Sequence, residues 1–343
     1  MTFKYDNVFI NSSSTTAGKY EANGPFGSLF DKTYNDFYIG CNNWESAEEK
    51  MNMDSLQILF KKINKKTTDI DLFISGSLLN QIIPSNYIAS KLKIPYLGIY
   101  SACATSVEGL IIASNFIESK QIKNSIVTTS SHNNAAEKQF RYPVEYGGVK
   151  PKTTTFTTTG SASIYLSNVK SSIKVESSTI GRVIDMGVTD VFNMGAVMAP
   201  ACADTIYRHL IDTKRDVNYY DLILSGDLGI YGKDILKDYM NKEYGINLTN
   251  YDDSASMIFD IKCQDVYAGG SGPVCLPLVT YTYIFDLMKK KKLKKVLLVA
   301  TGSLHSVQSV NEKMTIPAIA HAISLEVIEW FILMPLSFVQ WYV

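Results

Sequence analysis

The amino-acid sequence predicts an α/β protein with a duplicated, layered fold. Residues 71–78 (DLFISGSL) match residues 221–228 (DLILSGDL), and the apolar run 125–131 matches 296–302. Between these pairs, residues 99–103 and 266–270 also correspond, and a helical pattern follows each of them. Because the three matches occur in the same order, they indicate an internal repeat.

Each repeat alternates strands with helices. Near-continuous apolar, β-branched runs between helices predict parallel strands that are buried on both faces. We therefore predict an N-terminal half over residues 1–170 and a C-terminal half over 171–326, followed by an atypical apolar tail over 327–343. Ligands of open α/β sheets bind beyond the carboxyl ends of the strands, so the turns after the repeated strands are the expected site.

The amino-acid composition argues against several classes of function. The 343 residues carry 33 basic and 33 acidic side chains, and this balance argues against a nucleic-acid-binding protein. Five irregularly spaced cysteines without a CxxC pair argue against zinc and against a disulfide framework. The N-terminus has no basic segment followed by an apolar run, so no signal peptide is predicted. The tail contains Pro335 and is shorter than the roughly 20 apolar residues of a membrane-spanning helix.

Cys103 stands at a predicted strand-to-helix turn. Backbone N–H groups and the helix dipole at that position are expected to lower the pKa of its thiol and make it a nucleophile. A small buried cysteine packed under the helix is an equally good interpretation. His132 and His305 also fall on strand-end turns and are candidates to line a pocket, whereas His209 and His321 are expected to be structural.

The cysteine turn and the duplication resemble thiolases and β-ketoacyl-acyl-carrier-protein synthase III, which implies a layered αβαβα fold. In that synthase the cysteine works with a histidine and an asparagine from turns of the second half. The corresponding turns here are 225–228 (SGDL) and 269–272 (GGSG), which put serine and glycine at those two positions. The resemblance therefore implies that catalysis has been lost. Asp227 would repel a thiolate instead of activating it.

A closer resemblance is to the stage V sporulation protein AD family. It rests on long, unusual motifs: 44–50 (WESAEEK), 80–84 (NQIIP), 102–110 (ACATSVEGL), 129–143 (TSSHNNAAEKQFRYP), 181–187 (GRVIDMG), 193–200 (NMGAVMAP) and 315–322 (TIPAIAHA). The resemblance implies a protein of endospore formation that binds dipicolinic acid (pyridine-2,6-dicarboxylic acid), for its uptake into the spore and its release at germination. Family members end near residue 326, so the tail departs from the pattern and is interpreted as an extended or frameshifted reading frame.

The resemblance also implies partners and a location: the other membrane proteins of the stage V sporulation A group, a homodimer, and a peripheral position at the forespore or spore inner membrane. No loop offers the six to eight oxygen ligands of calcium, so calcium would arrive chelated by the ligand. The alternative function is an acyl-transfer or condensing enzyme that uses Cys103. The predicted ligand-binding residues are Cys103, His132, Asn133, Asn134, Arg141, Ser225, Gly226, Asp227, Gly269 and Gly270.

Overall fold

The computed structural model describes residues 1–140 and 150–328. The strands are β1 (Thr2–Lys4), β2 (Phe9–Ala17), β3 (Lys32–Thr33), β4 (Leu72–Ser77), β5 (Tyr96–Gly98), β6 (Asn124–Ser131), β7 (Phe156–Thr157), β8 (Gly160–Ser167), β9 (Ile173–Ile180), β10 (Leu222–Ser225), β11 (Tyr251–Asp253), β12 (Gly270–Ser271), β13 (Lys295–Ser303) and β14 (Ala318–Val327). The α-helices are α1 (Lys19–Ala22), α2 (Trp44–Ile63), α3 (Ile83–Leu92), α4 (Thr105–Glu118), α5 (Asn133–Phe140), α6 (Met194–Thr213), α7 (Gly229–Tyr244), α8 (Cys275–Val279), α9 (Phe285–Lys289) and α10 (Val307–Asn311); a π-helical turn, Thr280–Ile284, joins α8 to α9.

The strand order is symmetric about its centre. It runs β5-β4-β6-β8-β2 through residues of the first half and then β9-β14-β13-β10-β11 through residues of the second. The two sets meet where β2 pairs with β9 over two antiparallel residue pairs, Phe9 with Lys174 and Ile10 with Ile173, and β1 of the first half adds three antiparallel pairs with β9. The repeated motifs form equivalent strands, β4 with β10 and β6 with β13, so the predicted duplication is present in the sheet. The boundaries at residues 170 and 326 stay predictions.

The sequence patterns predicted parallel strands, but only some of the strands are parallel to their neighbours. β4 lies parallel to β5 and β6, and β10 lies parallel to β11 and β13. The two inner strands of each set are antiparallel to their neighbours, as in the pairing of β6 with β8 and of β13 with β14. An antiparallel neighbour needs no crossover between the strands, and β8 is buried along its whole length, as a parallel strand would be.

Helices form three further layers. α4 packs between the two sets of strands, where Val107 and Leu110 join a core shared with Leu278 of α8 and Leu298 of β13. On one outer face, Leu56 and Leu59 of α2 pack with residues of β4 and β6. On the other outer face, residues of α6 pack against β13 and β14. The result is the predicted αβαβα arrangement.

The register of the strands defines two poles of the molecule. Ser131 pairs with Gly160 and Ser303 pairs with Ala318 at one end, which we call the cysteine pole because the turn of Cys103 lies there. Asn124 pairs with Ser167 and Lys295 pairs with Glu326 at the other end, which we call the lysine pole. The carboxyl ends of β4, β6, β10 and β13 all face the cysteine pole.

Candidate functional site

A cavity of about 120 Å³ opens at the cysteine pole and is lined by residues of both halves. Some of its lining residues are aromatic or apolar, and others carry hydroxyl groups. The lining residues are Leu78, Tyr100, Ala102, Cys103, Ala136, Glu137, Phe140, Thr155, Thr157, Val191, Met194, Met198, Ser271, Ser303, His305, Val307 and Val310. Glu137 forms an ion pair with Lys150 at 2.9 Å, so its charge is balanced at the rim.

Cys103 occupies the predicted turn between a strand and a helix. Ala102, immediately before it, has a left-handed φ of +50°, which is unfavourable for a non-glycine residue and is typical of sharp turns at functional sites. The hydroxyl of Thr105 accepts a hydrogen bond from the Ser101 N–H at 3.0 Å and donates to the Ala102 carbonyl at 2.6 Å. These bonds hold the half-buried thiol at the start of α4, against the cavity.

The pKa of this thiol is shifted in the direction opposite to that expected from the strand-to-helix turn. Burial raises the pKa of Cys103 well above its usual value, and the nearby carboxyl of Asp227 raises it further. A hydrogen bond from backbone of Gly272 acts in the opposite direction but is the weaker influence. Since the thiolate is the nucleophilic form, burial and Asp227 together favour the less nucleophilic, neutral thiol.

Asp227 is a fully buried carboxyl, and neither of its oxygens has a hydrogen-bond partner. It has a left-handed φ of +71° in the turn between β10 and α7. Burial and the neighbouring Asp253 raise its pKa well above the usual value for aspartate, which favours the neutral acid. The sequence-based expectation that Asp227 opposes a thiolate agrees with this arrangement.

Ser225 and Gly226 lie behind the cavity wall and do not line it. The Ser225 hydroxyl donates to Asp253 at 2.6 Å and is hydrogen-bonded to the Tyr251 hydroxyl at 2.7 Å, so it points towards β11. The Gly226 carbonyl accepts a hydrogen bond from Thr301. Asp253 also accepts from the N–H groups of residues 228, 229 and 255, and its pKa is raised by burial to about 6.

Gly269 and Gly270 are buried and shape the backbone beside the cavity. Gly269 has a φ of +117°, and a side chain there would meet the carbonyl of Ala255. Its own carbonyl accepts from the Phe156 N–H, which pairs β12 with β7. The pairing places Ser271 and Thr157 on the cavity wall. The two glycines thus shape the cavity indirectly, through the positions of Ser271 and Thr157.

The segment after β6 contributes less to the cavity than predicted. His132 is buried, and its Nε2 donates to the Phe37 carbonyl at 2.8 Å, away from Cys103. Asn133 is buried with its N–H donating to Thr159, and Asn134 is half-buried. Neither lines the cavity, whereas Ala136 and Phe140 of the same helix do. Arg141 lies outside the described residues, and ligand contact by each of these residues stays a prediction.

His305 is the histidine that reaches the cavity, which agrees with its place on a strand-end turn. His209 is buried between Thr179 and Tyr220, and His321 accepts from the Gly181 N–H, so both are structural as expected.

Several cavity residues were missed from the sequence. Thr155 and Thr157 belong to a threonine-rich stretch, 153–159, that precedes β8. Met194 and Met198 are four residues apart on α6, and this spacing puts them on one face of the helix. Both signals were visible, but threonine runs and helical methionines more often indicate loops and cores than sites.

The described residues offer neither a cluster of metal-binding side chains nor a helix that could span a membrane. Within 1–140 and 150–328, histidine, cysteine and acidic side chains form no group of three that could hold a metal ion. Over the same ranges, no helix has both the length and the apolar character needed to cross a membrane.

Comparison with known proteins decides the family. The family model of stage V sporulation protein AD (SpoVAD) matches residues 1–326. The chain belongs to the SpoVAD family. It is 45% identical over 319 residues to stage V sporulation protein AD of Bacillus subtilis (strain 168), covering 93% of this chain and 94% of that protein. The family resemblance seen in the motifs is thereby confirmed, and the chain is a sporulation protein.

Solved structures confirm the fold. 3-Oxoacyl-[acyl-carrier-protein] synthase III from Aquifex aeolicus VF5 is similar with a TM-score of 0.55 at 12% identity, over 93% of this chain and 99% of that one. A variant of OleA from Xanthomonas campestris is similar with a TM-score of 0.58 at 11% identity, over 94% and 99%. At such identities the likeness establishes the thiolase-type fold, and activity has to be argued from the site.

Proposed function

We propose that this SpoVAD-family protein binds dipicolinic acid, or its calcium chelate, without catalysing a reaction, and serves its uptake into the developing endospore and its release at germination. The observation that carries the proposal is the cavity beside Cys103, in which aromatic and hydroxyl-bearing residues surround a thiol whose pKa is raised by burial. The membership of a sporulation family supplies the biological setting.

The lining suits a small, flat, oxygen-rich ring. Tyr100, Phe140 and the two methionines offer apolar contact to the faces of a pyridine ring. Hydroxyl groups of Thr157, Ser271 and Ser303 offer hydrogen bonds to carboxylates, which need such partners when they leave water. Calcium chelated by the ligand would offset part of its negative charge, so the cavity itself need not supply a metal site.

The chemistry of Cys103 supports binding over catalysis. Acyl transfer needs a thiolate, and burial together with Asp227 favours the neutral thiol. His132, His209 and His321 are engaged elsewhere in the fold. A neutral thiol can form one wall of a binding cavity without the charge that would repel a carboxylate.

Calorimetric titration of dipicolinate, with and without calcium, tests the proposal. Cys103→Met extends a longer side chain into the cavity and is expected to weaken binding by roughly tenfold or more, or about 1.4 kcal/mol. Cys103→Ser nearly preserves the size of the side chain and is the matched control, expected to bind normally. Unchanged binding by Cys103→Met, with thermal unfolding showing both variants folded, would contradict a ligand site at this cavity.

One observation favours a second function. His305 lines the same cavity as Cys103 and could supply the base of an acyl-transfer enzyme. Incubation with acyl-coenzyme A followed by intact-mass measurement separates the two functions, with Cys103→Ser as the control. We expect no acyl adduct on the unmodified protein. A stoichiometric adduct that disappears in Cys103→Ser would establish the enzyme instead.

The assembly proposed with this function is a homodimer that works beside the other membrane proteins of the stage V sporulation A group, at the periphery of the forespore or spore inner membrane. β5 is an edge strand, and Leu97 on it is 38% exposed next to the exposed Tyr87 of α3. An apolar sheet edge of this kind supports pairing with a second copy, because exposed edges favour strand addition.

A further inference from the structure

A run of lysines projects from the lysine pole. Residues 289–294 read KKKKLK and connect α9 to β13, with lysines at 289, 290, 291, 292 and 294 all exposed. Lys290 pairs with Asp286 at 2.7 Å in an exposed contact, which contributes little in water. The local charge over residues 286–295 is strongly positive, in a chain whose total charge is zero.

Other loops add positive charge at the same pole. Lys120 and Lys123 lie in the connection from α4 to β6, and Lys170 lies in the connection from β8 to β9; all three are exposed. The pairing of Asn124 with Ser167 brings these two connections side by side. Val169, next to Lys170, is 63% exposed and adds an apolar side chain to this lysine-rich surface.

Two acidic residues at this pole, Asp71 and Asp221, are directed towards the backbone, whereas Asp6 is exposed and Glu326 pairs with Lys174 and Lys295. Asp71 accepts hydrogen bonds from the N–H groups of Lys123 and Asn124 at 2.7 and 3.2 Å. Asp221 accepts in the same way from the N–H groups of Lys294 and Lys295. These carboxylates cap the starts of strands, while the lysine ammonium groups on the same loops extend into solvent.

A second cavity, of about 500 Å³, borders the lysine run. Lys289 lines it together with Asn11, Ser171 and Ser172, and its apolar lining includes Ile173 and Phe285. Lys62 also lines it and is paired with Asp31 at 2.6 Å. Asp31 and Asp286 also line it, so the cavity is balanced in charge, and the positive charge of this pole lies on the exposed lysine run beside it.

We propose that the lysine pole docks on the surface of an anionic bilayer, with the lysine run over the phospholipid headgroups. The inference rests on the membrane-side location in the proposed function and adds the surface that would meet the lipid. Each lysine near an anionic membrane adds electrostatic attraction that acts within about a Debye length of the surface. The cysteine pole would then face away from the bilayer.

Nucleic acid is the other polyanion to consider. The run contains lysine alone, whereas arginine is the residue suited to bidentate phosphate and base recognition. The side chains next to the exposed lysines in the sequence, Leu293 and Val169, are aliphatic and offer no ring on which a base could stack. The observations therefore favour a lipid surface.

Co-sedimentation with protein-free vesicles tests the proposal. The full chain is mixed with phosphatidylglycerol-containing vesicles and with pure phosphatidylcholine vesicles over a range of salt. We expect binding to the anionic vesicles only, weakening as salt rises. Replacement of Lys290, Lys291, Lys292 and Lys294 by glutamine is expected to lower the partition coefficient by roughly tenfold or more.

The control changes net charge equally at other surfaces: glutamine replaces four exposed lysines, Lys19, Lys152, Lys262 and Lys313. It should bind vesicles like the unmodified protein. Equal losses in the two variants, no binding to anionic vesicles, or binding of the run to duplex DNA without binding to vesicles would each overturn the proposal. Dipicolinate titration of the same variants reports separately on the cavity at the cysteine pole, so the two proposals can fail independently.

Discussion

The neutral forms of Cys103 and Asp227 are favoured. The charged form of each side chain loses more free energy on leaving water than it gains from its neighbours. Burial is the main cause of the raised pKa for both groups, and each is disfavoured further by an acidic neighbour. A protein interior with a thiol, a neutral acid and hydroxyl groups can receive an anion without electrostatic repulsion.

Asp227→Asn should make the thiol easier to ionise. At the alkaline pH at which the thiol ionises, an ionised Asp227 would repel the thiolate, and asparagine removes that repulsion. We therefore expect alkylation of Cys103 by iodoacetamide to reach its half-maximal rate at a lower pH. Peptide mass mapping assigns the reaction to Cys103 and separates it from the exposed Cys263. An unchanged pH profile in the folded variant would show that burial alone governs this thiol.

The sequence predicted where Cys103 lies but not how it behaves. A strand followed by small residues and a helical pattern is enough to locate a turn at the end of a strand. The pKa depends on burial and on Asp227, which is 124 positions away along the chain and adjacent only in the fold. For the same reason the sequence placed Ser225 in the site, although its hydroxyl points towards β11.

The secondary-structure elements follow the internal repeat of the sequence closely. The duplicated motifs correctly predicted β4, β6, β10 and β13, since their apolar runs and terminal small residues are local signals. The antiparallel direction of β8 and β14 was not predicted, because it is set by which strands become neighbours in the sheet. The cavity likewise combines α5, α6 and the β7–β12 pair, which no local pattern brings together.

β5 yields a prediction about assembly. Leu97 pairs with Ile74 of β4 on one side, and β5 ends the strand order among the described residues. If a second copy pairs there, Leu97→Arg should produce a monomer, because it buries a charge at an apolar edge. Light scattering coupled to size-exclusion chromatography measures the mass.

Ile211→Arg is the matched control for that change. Ile211 is 58% exposed on α6, away from β5, and its replacement should leave the oligomer intact. A dimer that persists in Leu97→Arg, or dissociation in both variants, would argue against pairing through β5.

The stability of the whole molecule should depend on pH with two opposing contributions. Burial raises the pKa of Glu21 to about 8 and that of Glu48 to about 7, so each stabilises the fold at low pH and loses its contribution as pH rises from about 4.5 through those values. Burial lowers the pKa of His209 and His321 to about 4, so their contribution is lost as pH falls from about 6.5 to 4.

Glu21→Gln isolates one of these contributions. The Glu21 carboxyl accepts from the Thr159 N–H at 2.8 Å, and its other oxygen is buried without a partner. Glutamine can keep the accepted bond without ionising, so we expect the variant to gain roughly 2–4 kcal/mol over the unmodified protein at pH 8.5 and little at pH 5. Chemical denaturation at both values measures the difference. Glu243→Gln, at an exposed position, should show none.

The two-pair contact between β2 and β9 has a kinetic consequence. Each wall of the cavity at the cysteine pole comes from a different half, with Ala136 on one side and Met194 on the other. A ligand that touches both walls would hold the halves together, and amide hydrogen exchange along β2 and β9 should slow when dipicolinate is added. If dipicolinate binds there as proposed, the rates at which the protein retains and releases it would depend on how often the halves separate. That frequency can change without any change in the groups that contact the ligand.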